Sequence, residues 1–216
     1  MDKAVILGAG TYGRVYAEYI KDQAIFEIVG FLDDDRDKIG KTFNGIDVLG
    51  PIGSFETIQD KNINNIFVPI GNNEVRVRLL KKAQAMGYAT PCYIHQSANI
   101  HSTVKLGKAI YVLPNSSIMP LTILADYVMV SMGVNIAHHV NVEEGCFLSQ
   151  GSNIGASIDI KNKSFIGIAS TIMTGVKTIG KDTIIGAGSI VIRDIPDYAV
   201  VAGNPAKILR YNKKVR

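Results

Sequence analysis

His138 and His139 stand side by side in NIAHHVN, residues 135–141, and make up half of the chain's four histidines. An imidazole, with an ordinary pKa of about 6.5, is the side chain best suited to exchanging a proton at neutral pH. In a stretch otherwise made of small, amide and aliphatic residues, the pair reads as a general base with a neighbour, or as two polar residues sharing a surface turn. A second chemical signature is Gly8-x-Gly10-x-x-Gly13, which follows an apolar run and precedes a helical pattern. Glycines there let backbone N–H groups approach a phosphate, and the helix N-terminus favours its charge. Asp33 falls 20 residues after Gly13, where an acid can accept from a ribose or base. A tight strand-to-helix turn with no ligand would use the same glycines.

Composition removes several other chemistries. Cys92 and Cys146 are the two cysteines and form no C-x-x-C pair, so neither a disulfide framework nor a zinc site is indicated, and no metal is expected. The net charge of +4 comes from the end of the chain. Lys207, Arg210, Lys213, Lys214 and Arg216 fall in the last ten residues with no acid, leaving 18 basic against 19 acidic residues elsewhere. That tail reads as a solvated terminus, and no basic stripe interleaved with aromatics points to nucleic acid. No apolar run reaches the roughly 20 residues that span a bilayer. The opening MDKAVILGAG starts as a strand and lacks a cleavable signal. A soluble, reduced, cytoplasmic protein is the expectation.

Two kinds of element must position these residues. Residues 1–92 read as a short α/β unit. Ala4 to Leu7 form a buried strand, the glycine loop follows, and a helix runs to about Lys21. A second strand, EIVGFLDDD, ends at Asp33, Asp34 and Asp35. A third, NIFVPIG, leads into a helix whose face carries Val75, Leu79, Leu80 and Ala83, with Asn72 or Asn73 as N-cap and Gly87 just beyond its end. This is the mononucleotide-binding pattern. About 90 residues are too few for a full dinucleotide fold, which argues against a nicotinamide dehydrogenase.

Residues 93–216 are periodic. From Ile94 to Ile172 every sixth residue is Ile, Leu or Val, fourteen positions without a miss. One extra residue shifts the frame, and Ile179, Ile185 and Val191 resume it. Six residues are not a whole number of helical turns, so the pattern is a hexapeptide repeat that builds a parallel β-helix. Each hexad supplies a short strand and a corner, and three hexads per coil predict about six coils at the strand spacing of roughly 4.8 Å.

The hexads, the closing IIGAGSIVIRDIPDYAVVAGNPAKIL with its Gly203-Asn204-Pro205-Ala206-Lys207 signature, and the N-terminal GAGTYG, FLDD and IGNNEVR together resemble the hexapeptide-repeat sugar acetyltransferases of the bacillosamine-pathway and sialic-acid O-acetyltransferase kind. The resemblance implies a Rossmann-like sugar-nucleotide domain followed by a left-handed β-helix, a homotrimer, acetyl-CoA in clefts between subunits, and a nucleotide-linked sugar on the first domain. It implies that His138 is the general base and that His139 stands where the family usually has a carboxylate. It further implies sugar-nucleotide contacts at Gly10, Thr11, Tyr12, Asp33, Asp34 and Gly71, and acetyl-CoA contacts along Phe147, Ile168, Gly186 and Ala187. Phe147 replaces a histidine common in the family, and a phenyl ring can pack on a pantetheine arm but cannot donate a hydrogen bond. His95 and His101 are read as structural.

Two rivals stand beside this reading. A sugar nucleotidyltransferase also carries a β-helix, but with a much larger basic N-terminal domain. A non-catalytic trimeric scaffold would explain the changed residues at His139 and Phe147, against which stand His138 and the intact GNPAK signature. Between N- and O-acetylation the amine is favoured, because IGNNEVR is closest to the nucleotide amino-sugar enzymes.

Overall fold

The computed structural model describes residues 1–57 and 63–212. It divides the chain into two compact units, Met1–Pro91 and Cys92–Arg216. Lys213, Lys214 and Arg216 of the basic tail lie outside the described residues, while Lys207 and Arg210 are exposed on the last strand. Among the described residues no helix is long and apolar enough to cross a membrane.

The first unit is an α/β sheet. Strand β1 (Asp2–Leu7) leads into helix α1 (Thr11–Asp22), then β2 (Phe26–Leu32), β3 (Thr42–Phe43), β4 (Ile46–Gly50), β5 (Asn65–Phe67) and α2 (Asn73–Ala85). The sheet order is β3-β4-β2-β1-β5. β1 lies between parallel neighbours β2 and β5, and its Ala4 to Leu7 are completely buried. Chain order reverses direction at β1, so the ends of β1 and β5 form the crevice where open α/β sheets hold ligands. The β3–β4 hairpin was not anticipated from the hydrophobic pattern. Asn44 and Gly45 turn it with φ of 55° and 75°, the left-handed pair that a tight hairpin needs. Asn72 caps α2, its side chain accepting from Val75 N–H at 3.1 Å, and Gly87 follows the helix with φ 86°.

The second unit is a left-handed parallel β-helix. Its two-residue strands run from β6 (Tyr93–Ile94) to β22 (Ile190–Val191) and fall into three parallel sheets. Each coil pairs with the next 18 residues on, Ile118 against Ile136 and Ile136 against Ile154. After Ile172 the offset becomes 19, with Ile160 against Ile179, which absorbs the extra residue read in the sequence. The aliphatic ladder points inward and forms the core, from Val112 and Ile136 to Ile166 and Ile185. Ile94 and Leu106, in the first coil, are more than a third exposed. The unit ends in the antiparallel pair β23 (Ala199–Gly203) and β24 (Ala206–Tyr211), joined through Asn204-Pro205.

The corners have a common conformation. Ala109, Asn115, Leu121, Tyr127, His139, Ser157, Lys163 and Ala169 all have φ between 49° and 65°, and Gly133, Gly145 and Gly151 fill the same slot. The third residue after most ladder aliphatics thus takes the left-handed form, and its N–H commonly bonds to the coil below, as Gly145 does to Asp126 C=O at 3.0 Å.

Residues four after the aliphatic face the interior, and their hydroxyls need partners. Ser116 donates to Leu113 and Ser131 carbonyls at 3.1 and 2.8 Å, and Ser164 to Lys161 and Gly180 at 2.8 and 2.6 Å. Ser152 is fully buried, and its hydroxyl has no partner among the described residues. The same slot one coil earlier holds Val134. Ser152→Ala therefore removes a desolvated hydroxyl and is expected to stabilise the protein by about 1 kcal/mol, whereas Ser116→Ala costs about as much. Thermal denaturation of the two variants should move Tm in opposite directions.

Candidate active site

The two histidines occupy one corner of the β-helix, after the strand Asn135–Ile136. Coils on both sides hold the backbone there. His139 N–H donates to Pro120 C=O at 3.3 Å, and Ser157 N–H donates to His138 C=O at 3.1 Å. Both rings are exposed, and their Nδ1 atoms lie 2.9 Å apart with the planes nearly perpendicular, at 88°. A contact this short needs one N–H and one lone pair. If His138 donates through Nδ1, its Nε2 keeps the lone pair that a base requires. The neighbour at 139 thus faces the candidate base rather than away from it.

Beside this corner the sheet presents a groove of about 390 Å³. Met119 and Met173 flank it, small residues Ala137 and Gly155 lie between them, and Asn135, Asn153 and Thr171 add amide and hydroxyl groups. Asn135 Nδ2 donates to Asn153 Oδ1 at 3.0 Å. His95 and His101 sit differently, one residue after their aliphatics. Each accepts through Nδ1 from the N–H two residues on, at 3.1 and 3.2 Å, closing a local turn in the first coil.

The positions expected to meet acetyl-CoA differ in what they offer. Ile168 and Ala187 are exposed at corners. Phe147 is 3% exposed and packs edge-on against Phe165 at 5.3 Å, so it presents no open face in this chain. Gly186 N–H already donates to Val201 C=O at 2.7 Å, which leaves that amide for coil pairing.

In the first unit the glycine loop is fastened at one peptide. Ala9 N–H donates to Asp33 Oδ2 at 2.7 Å, and Ala9 C=O accepts from Arg14 Nε at 3.0 Å. Asp33 Oδ1 accepts from Asp35 N–H at 2.9 Å, and Lys38 Nζ lies 3.3 Å from both carboxylate oxygens. Asp33 is thus nearly buried and committed to holding the loop. Asp34 is the exposed acid at this strand end, although its Oδ1 accepts from Ile52 N–H at 2.9 Å. Thr11 is exposed and Tyr12 half-buried at the start of α1. Gly71 lies in the loop after β5, which the fully buried Arg76 clamps. Its two Nη groups donate to Ile70 C=O and Asn73 Oδ1, each at 2.8 Å. Ile70 in turn packs near Gly8, so the loops after β1 and β5 are neighbours. Arg14, Lys38 and Arg76 were not singled out in the sequence. Their partners are backbone carbonyls and acids reached through the fold, with the flanking positions as the only local signal.

Burial alone would raise the Asp33 carboxyl, but the Asp35 and Ala9 N–H groups and Lys38 outweigh it and hold the pKa below the ordinary carboxylate value. A depressed folded pKa contributes stability that is present above the unfolded value of about 3.9 and is lost as pH falls through the folded one. The difference in unfolding midpoint between the wild type and Asp33→Asn should therefore be widest at neutral pH and narrow toward pH 3. Denaturant titrations across that range check it, and a constant gap would show that the carboxylate charge is irrelevant.

Comparisons with known proteins place this fold among acetyltransferases. A family model described as PglD N-terminal domain matches residues 3–83. Galactoside O-acetyltransferase of Escherichia coli is 34% identical over 125 residues, 56% of this chain and 58% of its own length. The dTDP-3-amino-3,6-dideoxy-alpha-D-galactopyranose 3-N-acetyltransferase of Aneurinibacillus thermoaerophilus is 50% identical over 52 residues, 24% of this chain and 27% of its own length. The chain spans only about half the length of the curated relatives it matches, 52 to 60% for three of them. Among solved structures, a mutant of GDP-perosamine N-acetyl transferase from Caulobacter crescentus in complex with CoA and GDP-perosamine has a TM-score of 0.90 and 28% identity, covering 96% of this chain and 97% of that one. The acetyltransferase domain of PglB from Neisseria gonorrhoeae, in complex with acetyl coenzyme A, has a TM-score of 0.87 and 28% identity, covering 96% and 99%. Residues 3–83 match the PglD N-terminal domain model, and the chain as a whole is similar to the hexapeptide-repeat sugar acetyltransferases, perosamine and PglB N-acetyltransferases among them.

Proposed function

We propose that this protein transfers an acetyl group from acetyl-CoA to the amine of a nucleotide-linked sugar, as a step in glycan or surface-polysaccharide synthesis. The observation that carries the reading is likeness over 96% of the chain, at a TM-score of 0.90, to a protein solved with CoA and a nucleotide amino sugar. The crevice at the ends of β1 and β5 holds the nucleotide, with Gly10, Thr11, Tyr12, Asp34 and Gly71 at its rim and Asp33 bracing the loop. The β-helix holds acetyl-CoA, with Ile168 and Ala187 along its path.

The transfer is direct. The amine nitrogen attacks the thioester carbonyl, and the oxyanion is met by a backbone N–H at a coil corner. The C–S bond then breaks, an amide forms and CoA leaves as the thiolate. His138 Nε2 takes the proton that the nitrogen loses and returns it to the sulfur. His139 accepts from His138 Nδ1–H as a neutral ring, which orients the base without the charge a carboxylate would supply. An amine is a better intrinsic nucleophile than a hydroxyl, so it depends less on a strongly assisted base. O-acetylation of a sugar hydroxyl is the second reading, favoured by the 34% identity to galactoside O-acetyltransferase. Incubating the protein with acetyl-CoA and a panel of nucleotide amino sugars, and following thiol release, tests the proposal. Release with a free-hydroxyl sugar but with no amine would replace it by the second reading.

The active form is a homotrimer. Flat prism faces bury little alone, and Met119, Met132, Ile168 and Met173 are each 45% exposed or more on the single chain. Sedimentation should give three times the 23.4 kDa chain mass, and a stable monomer at micromolar concentration contradicts it.

A further inference from the structure

We propose that Arg14 is the side chain that grips the diphosphate of the nucleotide. The inference rests on the nucleotide site proposed above and names its anion-binding residue. Arg14 is the fourth residue of α1, half-buried beside the glycine loop. Its guanidinium is fixed on two sides. Nε donates to Ala9 C=O at 3.0 Å, and Cζ lies 3.6 Å from the centre of the Phe43 ring. A guanidinium carries five N–H donors in a rigid fork, and only the one on Nε is used. The four Nη–H donors have no partner among the described residues.

Nearby acids do not account for the fork. Asp33 is taken by Ala9 N–H, Asp35 N–H and Lys38, and Asp34 by Ile52 N–H. Nor is Arg14 a loose surface charge, since the stacked ring and the bond to Ala9 have already removed most of its rotamer freedom. It therefore sits pre-oriented, with the two-pronged edge that matches a phosphate open. The surroundings favour the same ligand. Gly10 caps α1 with no side-chain bond, and the first turn, which includes Arg14, holds no acid, so the helix end adds positive potential beside it. Because Ala9 is bonded to both Asp33 and Arg14, loop, acid and cation keep one arrangement. Of the parts of a nucleotide sugar, only the diphosphate carries the charge this arrangement selects. Nucleobase and sugar identity are left to other contacts, so Arg14 contributes affinity for the phosphates of any nucleotide the crevice accepts.

Calorimetry on the full chain tests this with UDP, GDP, dTDP and CDP and the four uncharged nucleosides, for wild type, Arg14→Gln and Arg14→Lys. The best-bound diphosphate should lose about 10- to 100-fold in affinity in Arg14→Gln, the range for a charge-assisted pair, and only part of that in Arg14→Lys, which keeps charge without the fork. The salt dependence of diphosphate binding should weaken in Arg14→Gln, while acetyl-CoA affinity and Tm stay near wild type. If Arg14→Gln binds the diphosphate as wild type does, the inference falls and the nucleotide site stands. If nucleoside and diphosphate lose affinity equally, Arg14 is only a strut for Ala9, and the inference also falls. If the wild type binds none of the four diphosphates, the nucleotide site and the inference fall together.

Discussion

On the proposed mechanism, His138→Ala is expected to lower kcat by about 10²- to 10⁴-fold with little change in KM for either substrate, the contribution general-base catalysis makes. His138→Asn does the same, because an amide keeps the size and a hydrogen bond but cannot take the proton. Near-full activity in either variant would place the base elsewhere, or show that the amine needs none. His139→Asp separates the roles of the pair. Position 139 has φ 57°, and Asp tolerates the left-handed region better than most residues, so the corner should survive the change. A carboxylate accepting from His138 Nδ1–H favours the imidazolium, and the acidic limb of the pH–rate profile should move to higher pH. An unmoved limb, with His138→Ala still inactive, would mean that the 2.9 Å contact between the two Nδ1 atoms has no part in the proton transfer.

What was legible in the sequence is what repeats or is local. The hexad ladder could be read because every strand of the prism must turn an aliphatic inward. Ile136, Ile154 and Ile166 each end a two-residue strand with at most 3% of the side chain exposed. The one-residue slip was legible for the same reason, since an uncompensated insertion would point the next aliphatic outward. The α2 cap was readable because Asn72 and its partner Val75 N–H are three residues apart.

The rest depends on partners distant in sequence. Asp33 was expected to meet a ligand, but it meets Ala9, 24 residues away, and that choice follows from the pairing of β1 with β2. The left-handed corner at His139 could not be told from composition, because the slot also accepts Leu121, Tyr127 and Lys163. Gly186 looked open as a corner glycine, yet its N–H belongs to the coil ladder. The β3–β4 hairpin has a local signal in Asn44-Gly45, and β4 alternates in burial, but β3 is only two residues long and shows no pattern of its own.

Gly13→Ala and Gly10→Ala should part company in stability, although both change the same loop by one methyl group. A Cβ on Gly13 would lie 1.8 Å from Gly8 C=O, with the carbonyl carbon at 3.0 Å and Ile6 Cγ2 at 3.7 Å behind it. Gly8 cannot retreat, because its N–H is bonded to Leu32 C=O at 2.7 Å and its φ is already 99°. Helix α1 must move instead, which unseats its buried Tyr16, Ala17 and Ile20 and breaks the Arg14 bond to Ala9. The cost lies at or beyond the top of the roughly 1–3 kcal/mol that overpacking brings. The first unit should melt earlier, and nucleotide diphosphate binding should be lost with it. Gly10 is the opposite case. Its φ of −78° suits any residue, and a Cβ there meets nothing within 4 Å. Restricting the unfolded chain would favour alanine by about 0.4–1 kcal/mol, and the N-cap preference for Gly over Ala offsets that gain, so stability should change little. The protein itself does not need a glycine at position 10, whereas a phosphate resting on the loop backbone does. Gly10→Ala should therefore keep the wild-type Tm and lose at least about tenfold in diphosphate affinity, since a misplaced contact worth about 1.4 kcal/mol already has that effect. Calorimetry and thermal denaturation on the same two variants decide it. Unchanged affinity in Gly10→Ala would make the glycine loop a bare strand-to-helix turn and move the nucleotide elsewhere.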